Sequence, residues 1–173
     1  MGDVLVLGRD MDEKGEHVGP EVMALLERAA LHQRQTGDTI VVAPGFSPDF
    51  PEQSESYANM MARALKVMGC HDVVALESAT FNTYGELRVF YDEMGGDGVI
   101  GFEWHLKRAQ YTARLWIDRD WVDHLDWIGV VTPMSRFNKL IEPLKWLNAS
   151  LSPKIQLKMV VLYKRFVSKR TSY

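Results

Sequence analysis

The sequence predicts an α/β fold with a mostly parallel sheet of about five strands and helices on both faces. Short runs of β-branched and apolar residues alternate with longer stretches in which apolar residues recur at helical spacing. The strand-like runs are continuously apolar, as in strands covered on both sides. Glycine, proline and capping residues separate the two kinds of segment. Strands separated by helices form parallel βαβ units.

The first two predicted strands are Val4–Leu7 and Thr39–Ala43. Between them a helix begins at Pro20, because a first helical turn tolerates the missing N–H of proline. Gly37 ends that helix.

A second helix is capped by Ser54 or Ser56 and runs to about Met68, with Gly69 as its stop. The third predicted strand, Asp72–Leu76, follows it.

Asn82 is a natural N-cap for a third helix, which runs to about Met94. The fourth strand, Gly98–Phe102, leads into a helix over residues 104–117. Trp127–Val131 is the fifth predicted strand.

Ser135–Leu147 is predicted to be a helix. The tail from Pro153 fits both a helical stripe and a strand alternation, and its length favours a helix. We interpret residues 1–173 as a single domain, with a core over residues 3–132 and a helical C-terminal extension over residues 133–173.

The composition is that of a soluble globular protein, with 46% apolar and 25% charged residues. The net charge of −3 implies no global attraction to nucleic acid. Residues 151–173 carry six Lys and Arg and no acid, so the other 150 residues carry −9. The basic tail, residues 154–170, is either a solvated face or a contact for an anionic membrane or a partner.

Cys70 is the only cysteine, which excludes an intrachain disulfide and a multi-cysteine zinc site. The N-terminus lacks the pattern of a signal peptide, and no apolar run approaches the roughly 20 residues of a membrane span. We therefore expect a cytoplasmic protein without a transmembrane segment, and we predict no metal site. Oligomeric state cannot be predicted from the sequence.

Ligands of open α/β sheets bind beyond the carboxyl ends of the strands. The candidate ligand-binding residues follow the predicted strands or open the next helices: Gly8, Arg9, Gly45, Ser54, Glu55, Thr80, Asn82, Thr83 and Arg108.

His105 is the best acid–base candidate because its unperturbed pKa lies near neutrality; alternatively it is a structural histidine beside Trp104. Arg108 lies one turn later on the same helical face and would suit a phosphate or carboxylate. Its alternative is an ion pair with Glu103 or Glu77.

Asn82 and Thr83 offer an amide and a hydroxyl at a helix N-terminus, which is either an anion site or ordinary capping. Glu77 is the second catalytic candidate. Glu77 and Glu55 would hold ribose hydroxyls, a cation or a proton in transit, or they are solvated loop carboxylates.

The familiar phosphate and nucleophile motifs are absent. Gly8-Arg9-Asp10 is not the glycine-rich dinucleotide fingerprint, and there is no Walker loop or Gly-x-Ser-x-Gly elbow.

The order of the short motifs over residues 3–117 resembles the YdcF-like family, the ElyC/SanA-type domain of unknown function. The matching segments are Leu7-Gly8, Gly45, Ser54-Glu55, Glu77-Ser78-Ala79-Thr80-Phe81-Asn82-Thr83 and His105-Leu106-Lys107-Arg108-Ala109.

The resemblance implies a Rossmann-like three-layer sandwich, and one member of the family is associated with S-adenosylmethionine binding. This chain departs from the family pattern at residues 8–10, 44–45 and 101–102. These departures indicate a changed ligand or a site that binds without turnover.

We therefore expect a YdcF-like protein that binds a nucleotide-like or phosphorylated small molecule at the carboxyl ends of the strands, S-adenosylmethionine being one candidate. Transferase or hydrolase activity would use His105 as acid–base and Arg108 as anion clamp. The alternative is a non-catalytic ligand-sensing or protein-interaction module, and the sequence does not decide whether the chain is an enzyme.

Overall fold

A computed structural model describes residues 1–8, 17–47, 50, 52–78, 82–132, 136–152 and 155. The chain divides into two compact units, Met1–Thr132 and Pro133–Tyr173. The interpretation of residues 1–173 as a single domain therefore stays a prediction.

The first unit contains a five-stranded sheet whose strands are β1 (Asp3–Val6), β2 (Thr39–Val42), β3 (Val73–Ala75), β4 (Gly98–Phe102) and β5 (Asp126–Val130). Their order in the sheet is β3-β2-β1-β4-β5, and every described pair of neighbours is parallel. The helices of the unit are α1 (Pro20–Thr36), α2 (Tyr57–Val67), α3 (Thr83–Glu93), α4 (Glu103–Trp116) and α5 (Arg119–His124).

Successive residues of a strand point to opposite faces of the sheet, so the apolar residues of β1 are buried beneath helices on both faces. Val4 and Val6 belong to the hydrophobic core beneath α1 and α2. Leu5 and Leu7 belong to the core beneath α3, α4 and α5. The predicted Rossmann-like three-layer arrangement is therefore confirmed.

Local chemistry places the helix ends where the sequence predicted them. Pro20 lies in the first turn of α1, and Gly37 ends the helix with a left-handed φ of 78°. Ser56, rather than Ser54, caps α2, because its side chain accepts the Asn59 amide. Gly69 follows α2 with a φ of 89°, the conformation that glycine adopts most easily.

Four of the five strands differ from the predictions by one residue at one or both ends, and one helix was missed. β2 ends at Val42 rather than Ala43, and β5 is Asp126–Val130 rather than Trp127–Val131. β1 and β3 end one residue before the predicted Leu7 and Leu76, although the amides of both leucines still donate to neighbouring strands. The short helix α5 was not predicted. Its N-cap, Asp118, accepts the Trp121 amide, which is a signal that could have found it.

The second unit contains α6 (Arg136–Ser150), which confirms the predicted helix at Ser135–Leu147 with nearly the same bounds. Pro143 lies inside this helix. Apart from Ile155, the predicted helical tail from Pro153 lies outside the described residues. None of the helices in the described part of the chain has the length and apolar character needed to cross a membrane.

Candidate functional site

The sheet changes its winding direction between β1 and β4. From β1 the strand order runs through β2 to β3 with α1 and α2 on one face, whereas β4 leads through α4 and α5 to β5 on the other. In open α/β sheets this change opens a crevice beyond the carboxyl ends of the two strands. The side chains that follow β1 and β4 therefore form the candidate site.

The structure joins two of the predicted site residues directly. Thr83 begins α3, and His105 lies in the first turn of α4. The Thr83 Oγ1 and His105 Nε2 atoms are 2.8 Å apart, a hydrogen bond whose donor depends on the imidazole tautomer. His105 is only 5% exposed, and the Trp104 ring stacks beside it at 5.7 Å between centroids. The hydroxyl and the imidazole can therefore exchange a proton at the start of two helices.

Glu86 is a site residue that the sequence reasoning missed. It is buried on α3, and its Oε2 accepts the Gly8 amide at 2.8 Å, at the carboxyl end of β1. Burial raises the pKa of the Glu86 carboxyl from 4.5 to about 8, while the hydrogen bond from Gly8 lowers it. The carboxyl is therefore mainly protonated at neutral pH.

A sequence signal for Glu86 does exist. Glu86 lies three residues after Thr83 and next to Leu87, so an ionisable residue occupies the apolar face of α3. A carboxyl on a helix face that is otherwise buried has to be paired or neutral.

Asn82 caps α3, as one of its two interpretations predicted. Its Oδ1 accepts the Gly85 amide at 2.8 Å. The first amides of a helix have no acceptor within the helix, and the dipole places partial positive charge there. The cap satisfies one of these amides, that of Gly85.

The N-terminus of α2 is satisfied differently. The amides of Tyr57 and Ala58 donate to the carbonyls of Gly45 and Pro44 at 3.2 and 2.9 Å. The protein itself supplies the acceptors that an anion would otherwise provide. Of the two helix starts, α3 is therefore the better place for an anion.

Close backbone packing accounts for Gly45 and Gly8. A Cβ on Gly45 would lie 2.3 Å from the Ser78 carbonyl oxygen, and one on Gly8 would lie 2.6 Å from Pro44 Cγ. Both positions need glycine for the fold, whether or not their backbone also meets a ligand.

The predicted carboxylates lie in other surroundings. Glu55 forms an ion pair with Arg63 at 2.7 Å, and Ser54 is exposed. Glu77 is exposed and accepts Asn59 Nδ2 at 3.4 Å. No described hydrogen bond or ion pair connects these residues to the Thr83–His105 pair, and their roles stay predictions.

Arg108 is half-buried on α4, one turn after His105, in the position that the sequence predicted. Its carbonyl accepts the Thr112 hydroxyl at 2.9 Å. Arg9 and Thr80, the two remaining candidates, lie outside the described residues. Across those that are described, no group of three His, Cys, Asp or Glu residues is arranged to hold a metal ion.

No family model and no curated protein matches this chain. Among solved structures, the chain is similar to a crystal structure of a universal stress protein in complex with cAMP. The identity is 12%, the TM-score is 0.41, and the match covers 78% of this chain and 99% of the other. At this distance the likeness transfers neither ligand nor activity.

Replacing Glu86 with Gln should change how stability depends on pH. Between pH 4.5 and about 8 the folded protein holds a proton that the unfolded chain has lost. The free energy of unfolding of the wild type should therefore fall, relative to Glu86→Gln, by up to about 1.4 kcal/mol per pH unit as pH rises through this window. Urea denaturation of both proteins at several pH values measures the difference, and parallel curves would exclude a raised pKa.

Gly45→Ala should lower the free energy of unfolding by about 1–3 kcal/mol, because the new methyl group meets a backbone carbonyl that cannot rotate away. The neighbouring Phe46 is exposed, so Phe46→Ala is the matched control and should change stability by less than about 0.5 kcal/mol. Equal stability losses in the two variants would contradict the packing explanation.

Proposed function

We propose that the crevice beyond β1 and β4 binds a small phosphorylated or nucleotide-like molecule. The observation that carries this proposal is the hydrogen bond between Thr83 and His105, at 2.8 Å. It joins the N-terminus of α3 to the first turn of α4 at the switch point of the sheet. We also propose, from the order of its short motifs, that the chain is related to the YdcF-like family.

The residues around the pair suit an anion. The α3 amides and the Thr83 hydroxyl would donate hydrogen bonds to phosphate oxygens. The Arg108 guanidinium, one turn along α4, would add a charge-assisted pair. Glu86 is mainly protonated at neutral pH, so it would not repel the ligand.

The Thr83–His105 pair also supplies a proton-transfer device. A hydroxyl held against an imidazole nitrogen is the arrangement of an activated nucleophile and its base. In a transferase or hydrolase, His105 Nε2 would take the proton of Thr83 or of a bound water as the new bond to phosphorus or carbon forms. The imidazolium would then return that proton to the leaving group.

A second candidate function is ligand sensing without turnover. The burial of His105 favours it, because a 5% exposed imidazole bonded to Thr83 has little surface left for a substrate. Both candidates share one binding site and differ in whether the ligand is consumed.

A thermal-shift panel of nucleotides, sugar nucleotides, inorganic phosphate, S-adenosylmethionine and S-adenosylhomocysteine tests the proposed site. A ligand at about 100 times its Kd should stabilise the protein by about 2.7 kcal/mol, a shift of a few degrees. Thr83→Val removes the hydroxyl at nearly constant volume and should abolish the shift, whereas Thr83→Ser should keep it.

Arg108→Gln should weaken the same ligand at least about tenfold, since it removes a charge-assisted bond. Lys107→Gln removes an equal charge from the neighbouring exposed position and is its matched control. A panel without a hit, or a hit that is unchanged in Thr83→Val and Arg108→Gln, would overturn the proposed site.

Turnover distinguishes the enzyme from the sensor. In an enzyme, His105→Gln should lower kcat by about 10²–10⁴-fold while the ligand still shifts the melting temperature. Product analysis by mass spectrometry after incubation of the wild type with its ligand provides the measurement. An unchanged ligand would leave the sensor as the function of the site.

A further inference from the structure

The charge of the chain is divided between its two units. Residues 133–173 contain nine Lys and Arg and a single acid, Glu142, a formal charge of +8. Because the whole chain carries −3, residues 1–132 carry −11. A segment of 41 residues therefore holds a concentrated positive charge, and the α/β unit holds an excess of the opposite sign.

The helix of the basic unit presents an exposed apolar face. Leu140, Leu144 and Leu147 on α6 are 77%, 63% and 59% exposed, and their spacing of four and three residues places them on one side. Lys139, next to Leu140, is exposed as well. We call these three leucines the leucine face.

The exposed large apolar residues of residues 1–132 are distributed differently. Leu31 lies on α1 and Val67 on α2, while Tyr111 and Leu115 form a pair four residues apart on α4. The described part of that unit therefore shows no row of three exposed leucines. Isolated apolar residues are normal on a protein surface, whereas an aligned set marks a contact.

We propose that α6 docks on an anionic lipid surface, with the leucine face inserted among the acyl chains, and that the net charge of +8 of residues 133–173 supplies the attraction to the headgroups. An interfacial helix combines an apolar face with flanking Lys and Arg, and anionic lipid adds attraction for each cation near the surface. This unit combines both features. The proposed docking is peripheral.

Charge argues against a second copy of the same segment as the occupant. Pairing two leucine faces would bring together two segments that each carry a formal charge of +8. Pro143 also lies between Leu140 and Leu144, within the face that would have to pair. Nucleic acid would satisfy the positive charge but would leave the leucine face in water. An anionic membrane satisfies both.

Vesicle flotation with the full chain tests the proposal. The protein should float with vesicles of phosphatidylcholine and phosphatidylglycerol, and not with phosphatidylcholine alone. Raising the salt from about 0.1 to about 1 M shortens the Debye length from about 10 to about 3 Å and should release much of the bound protein.

The variant Leu140→Gln/Leu144→Gln/Leu147→Gln should lower the partition coefficient at least about tenfold, because the inserted apolar area is lost. The matched control is Val67→Gln, at an 85% exposed apolar position of the acidic unit, which should float like the wild type. A second variant, Lys154→Gln/Lys158→Gln/Lys164→Gln/Arg165→Gln, should lose its preference for phosphatidylglycerol.

Several outcomes would overturn the proposal. They are failure to float, equal flotation on both vesicle types, and flotation unaffected by the triple leucine variant. A mixed-sequence RNA that binds the wild type and the leucine variant equally, without vesicle binding, would assign the unit to nucleic acid. Self-association that the leucine variant abolishes, seen by light scattering, would assign the face to a second copy.

Discussion

The burial of β1 on both faces is the constraint on which the rest of the first unit depends. Leu5, Val6 and Leu7 are inaccessible to solvent, with β2 and β4 as neighbours on either side. A central strand that is apolar on both faces needs a helical layer on each side. The chain therefore has to change faces between β1 and β4, and that change of face produces the switch point.

The same burial explains the chemistry at the end of the strand. Beyond the end of β1, the Gly8 amide donates its hydrogen bond to the Glu86 side chain and not to a neighbouring strand. Burying an ionised carboxylate there would be costly, so the proton stays on Glu86 until pH rises to about 8. The candidate site therefore contains a protonated carboxyl on Glu86 in addition to the Thr83 hydroxyl and the His105 imidazole.

The two proposals place opposite electrostatic demands on the molecule. The first unit carries −11, which opposes an anionic ligand at long range, so attraction in the crevice has to come from the α3 N-terminus and Arg108 at short range. The second unit carries +8, so the proposed anionic surface would attract it at long range.

The sequence alone predicted the five strands and every described helix except α5, because apolar periodicity, Pro20, Gly37 and Asn82 act through local geometry. It also placed Thr83 and His105 after strands, where parallel sheets bind ligands. It could not predict that the two side chains would meet, because they lie 22 residues apart and only the packing of α3 against α4 brings them together. Nor could it assign the neutral state of Glu86, since desolvation depends on everything packed around the carboxyl. Local interactions thus decided the elements, and tertiary burial decided the protonation and the contacts of the site.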